Sequence, residues 1–60
     1  MKLTDERLLS RVELEDLFGI SKRLLESRAG TATGPRFLRV GRLVRYKVAD
    51  IRAWIEENTV

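Results

Sequence analysis

Ser10-Arg11-Val12-Glu13-Leu14-Glu15-Asp16-Leu17-Phe18-Gly19-Ile20-Ser21-Lys22-Arg23 carries two helix starts and one helix stop in a single short stretch. Ser10 and Glu13 spell a capping box: the serine hydroxyl accepts from the Glu13 amide, and the Glu13 carboxylate reaches back to the Ser10 amide. A helix is therefore expected from Arg11. Leu9 before the cap and Leu14 four positions after it suit a hydrophobic staple, and Leu14, Leu17 and Phe18 follow at helical spacing. Gly19 stops the helix because glycine enters the left-handed region easily. Only Ile20 separates it from Ser21, a second N-cap, so Lys22 to Ala29 reads as a second short helix with Leu25 and Ala29 on one face. Two helices joined so tightly must cross steeply, which is the spelling of a helix-turn-helix.

Working outward, Gly30-Thr31-Ala32-Thr33-Gly34-Pro35 favours neither helix nor strand and is expected to be a loop. Phe37 to Val40 and Leu43 to Tyr46 are β-prone runs around Gly41-Arg42, the pattern of a hairpin. Turning Leu38, Val40, Val44 and Tyr46 all inward requires Val40 opposite Val44, a three-residue loop, and Arg39 opposite Arg45 on the outer face. Gly41 as the first loop residue suits a two-residue turn instead. Both registers stay open on sequence grounds. In the first, Phe37 and Leu43 lie outside and mark a contact between protein molecules.

Val48 to Asn58 repeats Ile51, Trp54 and Ile55 at i, i+3 and i+4, an amphipathic helix that places Trp54, with Tyr46, in the core. Its N-cap is weak, since Lys47 and Val48 offer no accepting side chain, although Asp50 suits the first turn. The expected architecture is α+β: helix, helix, two-stranded hairpin, helix, a small winged helix-turn-helix. Residues 1–60 form a single domain, with residues 1–8 a flexible N-terminal arm.

Charge divides the chain. Between Lys22 and Lys47 stand eight basic residues and one acid, Glu26, a net +7, while the remainder carries −4 of the total +3. A basic segment laid over a short helix and a hairpin is what a polyanion-binding surface looks like, because neutralised phosphates release condensed counterions. Cysteine and histidine are both absent, which excludes disulfides, thiolate metal sites and the commonest acid/base and nucleophilic chemistry. With no phosphate-cradling glycine motif and little chain to enclose a pocket, no enzyme activity and no cofactor are expected. Apolar runs span two or three residues, against about 20 needed to cross a membrane, and residues 1–9 lack a signal-peptide core. A cytoplasmic location is expected.

Leu8-Leu9, Glu13-Leu14, Leu17-Phe18-Gly19-Ile20-Ser21, Gly34-Pro35, Phe37, Val40-Gly41-Arg42, Val44-Arg45-Tyr46 and Asp50-Ile51-Arg52-Ala53-Trp54-Ile55, in that order, resemble the small excisionase and prophage-regulator (AlpA-like) domains of the MerR-like winged helix-turn-helix group. The resemblance spans Leu8 to Glu57. It departs from the commoner pattern at Leu24, Ser27 and Arg28. It implies a phage or mobile-element protein of bacterial cytoplasm, an excisionase that binds and bends DNA to assist an integrase-type recombinase without catalysis. It implies also head-to-tail self-association on DNA. Transcriptional regulators and the DNA-binding ends of packaging proteins share these features.

The candidate DNA contacts follow from position. Ser21, Lys22, Arg23, Glu26 and Arg28 lie on the second helix, the one that enters the major groove in this motif. Lys22 and Arg23 sit at a helix start, where the dipole disfavours cations, so a phosphate or guanine edge explains them better than helix stability does. Ser21 is first a cap, and Glu26 either accepts from cytosine or pairs with Lys22 at i, i+4. Arg28 reaches a phosphate or covers apolar surface. On the hairpin the candidates are Arg39, Gly41, Arg42 and Arg45, with Arg42 at the tip where a guanidinium enters a narrow minor groove. Arg11 is placed to touch the DNA backbone. The rival class is a protein-interaction module, or a fragment of a larger phage protein, whose basic face meets an acidic partner. RNA is disfavoured for want of exposed aromatic platforms.

Overall fold

Six elements follow in the order β1 (Leu8–Leu9), α1 (Arg11–Phe18), α2 (Lys22–Arg28), β2 (Leu38–Val40), β3 (Leu43–Lys47) and α3 (Val48–Glu57). These come from a computed structural model, which describes residues 4–58. The architecture is α+β, three helices with a three-stranded antiparallel sheet in the order β1-β3-β2.

The capping box forms in full: Glu13 N–H donates to Ser10 Oγ at 3.2 Å, and Ser10 N–H to Glu13 Oε1 at 3.0 Å. Leu9 and Leu14, the two staple positions, are both fully buried. Gly19 closes α1 in the left-handed conformation, its N–H on the Glu15 carbonyl. Ser21 caps α2.

A third strand joins the hairpin. Leu8 pairs with Lys47 and Leu9 with Tyr46, so the end of the expected N-terminal arm is a sheet edge. Residues 1–3 of that arm lie outside the described residues. The pairing answers the missing N-cap of α3, because Lys47 supplies no side-chain bond. Instead Val48 N–H donates to the Arg7 carbonyl and Ala49 N–H to the Asp5 carbonyl, each at 3.0 Å. Two of the four amides a helix start leaves open are thus filled by backbone. Arg52 of α3 pairs with Asp5 across the same junction.

The core is Leu9, Leu14, Leu25, Tyr46, Val48 and Ile51, with Phe18, Ile20, Phe37 and Val44 packed around it. Each fully buried apolar side chain contributes roughly 1.5–3 kcal/mol. Tyr46 takes the centre expected of Trp54, and Phe37 meets its ring at 5.8 Å between centroids. Trp54 is only half-buried: its Nε1 donates to the Thr33 carbonyl at 2.9 Å, at the margin where α3 meets the loop. Leu17 and Ile55, expected inward from helical spacing, are exposed. An eight-residue and a ten-residue helix on so small a sheet cover only a narrow stripe each, so the flanks of their apolar arcs face solvent.

The hairpin register corrects the inward-facing pattern. Leu38 pairs with Arg45, Arg39 with Val44 and Val40 with Leu43, which leaves Gly41-Arg42 as a two-residue turn. Gly41 has φ +60°, and Arg42 does not have positive φ, the sign pattern of a type II′ turn, whose twist matches that of the strands it joins. Turn geometry thereby prevails over hydrophobic pattern. Arg39 and Arg45 are not opposite one another but on different faces, and Leu38 and Val40 point outward, at 40% and 62% exposure.

Candidate nucleic-acid interface

The helix pair and the hairpin carry the basic segment on different supports. In α2, Leu25 is buried and anchors the helix, which turns Lys22, Arg23 and Glu26 to solvent. Ser21 Oγ accepts from Leu24 N–H at 3.4 Å, and Lys22 Nζ stands 4.0 Å from Glu26 Oε1, an exposed contact at the edge of ion-pair range. Lys22 N–H donates to Glu15 Oε2 of α1 at 2.9 Å. An acid from the first helix therefore sits at the positive end of the second. Arg28 is half-buried at the other end of α2, its carbonyl accepting from both the N–H and the hydroxyl of Thr31.

Arg39, Gly41 and Arg42 are exposed at the hairpin's far end, whereas Arg45 is half-buried, one guanidinium nitrogen donating to the Val44 carbonyl at 2.8 Å. Arg11, the expected backbone contact, turns to the core: its Nε donates to Tyr46 Oη at 3.1 Å, and its guanidinium carbon lies 6.0 Å from the centroid of that ring.

Among the described residues the basic segment holds one ion pair, Lys22 with Glu26. Outside the basic segment, Arg7 pairs with Glu13 and Arg52 with Asp5. Within it, Arg23, Arg28, Arg36, Arg39, Arg42, Arg45 and Lys47 have no ion pair among the described residues. From Ser27 to Ala49 the chain contains no acid at all. Arg36 and Lys47 belong to this set, although sequence reasoning singled out neither; absence of nearby acids was the signal that could have found them. Seven cations without ion pairs on one segment of a 60-residue domain raise a positive potential over it, offset only in part by acids elsewhere in the chain such as Glu13, on which Arg45 acts.

Among the described residues, Glu13 has a carboxyl clearly displaced from its ordinary value. The Ser10 backbone N–H holds its carboxyl below the usual glutamate value against partial desolvation, with smaller help from the Ser10 side chain, Arg7 and Arg45. Among the described residues no helix is long and apolar enough to cross a membrane. Comparison with protein-family models, curated proteins and solved structures finds no match for this chain.

Proposed function

We propose that this chain is a double-stranded DNA-binding domain of winged helix-turn-helix type, non-catalytic, with α2 as the major-groove helix and the β2–β3 hairpin as the wing. The observation that carries the reading is the set of seven cations without carboxylate partners on α2, the loop and the hairpin. Such cations gain most where phosphates replace the missing acids, since each neutralised phosphate releases counterions. Lys22 and Arg23 would address the groove through α2, and Arg42 the minor groove from the wing tip. Arg11 donates its Nε–H to Tyr46, which leaves its outer guanidinium nitrogens for the DNA backbone.

One module of this size buries only about 600–1,000 Å² on DNA, so several copies per site are needed for useful affinity. Excision, with an integrase-type recombinase as partner, is the task the sequence resemblance favours. A gel-shift and footprint titration at two salt concentrations, with random duplex as competitor, tests the proposal. Binding that weakens steeply with salt, with a log–log slope of about −4 or more negative, and laddered protection of repeated sites are expected. A folded protein with no affinity for duplex would remove the proposal and bring an acidic protein partner forward.

A further inference from the structure

The two-residue turn does more than fix register. It sets Val40 directly opposite Leu43 on the outer face of the hairpin, at 62% and 54% exposure, with Arg42 between them in sequence at the tip. Leu38 continues the same face at 40%, while Leu8, at 41%, stands apart beside Lys47. Isolated exposed aliphatics are ordinary, but a contiguous set aligned by strand pairing marks a contact surface. Its surroundings limit what that contact is. Arg45 and Lys47 share the face, Arg42 crowns it, and no acid occurs between Ser27 and Ala49. Two copies meeting face to face would oppose these cations to one another. A polyanion with an apolar interior meets both requirements.

We propose that Val40 and Leu43 form an apolar wedge that the wing presses into the minor groove of double-stranded DNA, partly unstacking a base step and kinking the duplex, while Arg42 binds along the groove wall. This rests on the DNA-binding reading above and names the residues that would carry the bend. Paired strands lie about 4.8 Å apart axis to axis and, with their own atoms, are wider than the roughly 6 Å minor groove, so the side chains at the tip enter first and the strands follow only as the kink widens the groove. Apolar side chains inserted from the minor groove open the step towards the major groove, and the bend brings more protein surface against the backbone. A flexible pyrimidine–purine step is the preferred target, because it unstacks at least cost. The recognition is one of deformability, so the wedge adds bending and only coarse A·T preference.

The test uses a duplex of about 30 base pairs with a central TA step, end-labelled for energy transfer and carrying 2-aminopurine at that step. The wild-type chain, Val40→Thr/Leu43→Thr and Leu38→Thr are compared. Threonine has high strand propensity and all three positions are exposed, so the variants should fold. The wild type should bend the duplex by roughly 20° or more and brighten the 2-aminopurine. The double variant should bind within tenfold as tightly, yet lose at least half the bend and the fluorescence gain, while Leu38→Thr keeps both. If the double variant unfolds, Val40→Thr alone decides by the same readings. Equal bending by wild type and variant, or wild-type binding to a straight duplex, overturns the wedge alone. Absence of any salt-dependent duplex binding overturns the DNA reading and the wedge together. Sedimentation of the free proteins supplies the last arm: self-association lost in the double variant, with bending unchanged, would assign this face to a second copy.

Discussion

The Glu15 carboxylate accepts the Lys22 backbone N–H at 2.9 Å, so the last turn of α1 holds the first turn of α2 across the Gly19-Ile20 junction. The bond is charge-assisted and favoured by the helix dipole, and it adds to the apolar packing of Leu14, Phe18, Ile20 and Leu25 in holding the angle between the two helices. Glu15→Ala should lower stability by about 1 kcal/mol, which in a domain this size moves the melting temperature by roughly 4–8 °C. An unchanged melting curve would mean that apolar packing alone sets the angle.

Glu13 makes stability depend on acid. Its folded pKa lies below the ordinary glutamate value, chiefly through the Ser10 N–H. The group therefore contributes stability that is fully present above the unfolded-state pKa and is lost as pH falls through the folded one. Glu13→Gln keeps an acceptor for the capping box and removes the titration. Urea midpoints measured from pH 7 down to pH 3 should show wild type ahead at neutral pH and the two proteins converging in acid. A constant gap would locate the acid sensitivity elsewhere.

The centre of the core can be found by truncation. Ile51 is fully buried, whereas Trp54 is half-buried at the rim. Ile51→Ala should cost about 2–5 kcal/mol, enough to unfold much of a domain with marginal stability. Trp54→Ala should cost less despite removing the larger side chain, because fewer of its contacts are with other buried groups. Chemical denaturation in a stabilising osmolyte would rank the two, and the reverse order would put the indole back at the centre.

Arg42 lies at an exposed turn without an ion pair. Arg42→Ala should leave the melting temperature where it is, weaken duplex binding by about 1 kcal/mol or more, and reduce the salt slope by about 1. Titration of wild type and variant at several salt concentrations measures both. An unaltered dissociation constant would take the wing tip out of the interface.

Local signals with short reach were legible in the sequence. Ser10, Glu13, Gly19 and Ser21 each act within a few residues, and each cap stands where the spacing puts it. The charge map was equally plain, since it needs no coordinates. Signals that depend on distant partners were not. Leu8-Leu9 is too short to announce a strand, and its reason is the Tyr46-Lys47 edge it meets and the α3 amides that the preceding carbonyls fill. The hairpin misled because its apolar residues prefer one face while Gly41 demands a tighter turn, and the turn prevailed. The contact of Arg11 with the Tyr46 hydroxyl and ring, 35 residues away, was likewise not legible.

The loop between α2 and β2 is tied along its length. Thr31 bonds back to the Arg28 carbonyl, Gly34 N–H to Thr31, and the Thr33 carbonyl to the Trp54 indole, while Pro35 is buried. A methyl group at Gly34 would fall 2.3 Å from the Arg28 carbonyl oxygen, so the chain passes its own helix end with no clearance. Helix and hairpin are in this way the two jaws of a calliper set to one gauge. The length of Gly30–Pro35 helps set how far α2 stands from the hairpin, and on the proposed DNA-binding reading that distance is the spacing at which the two would meet a duplex.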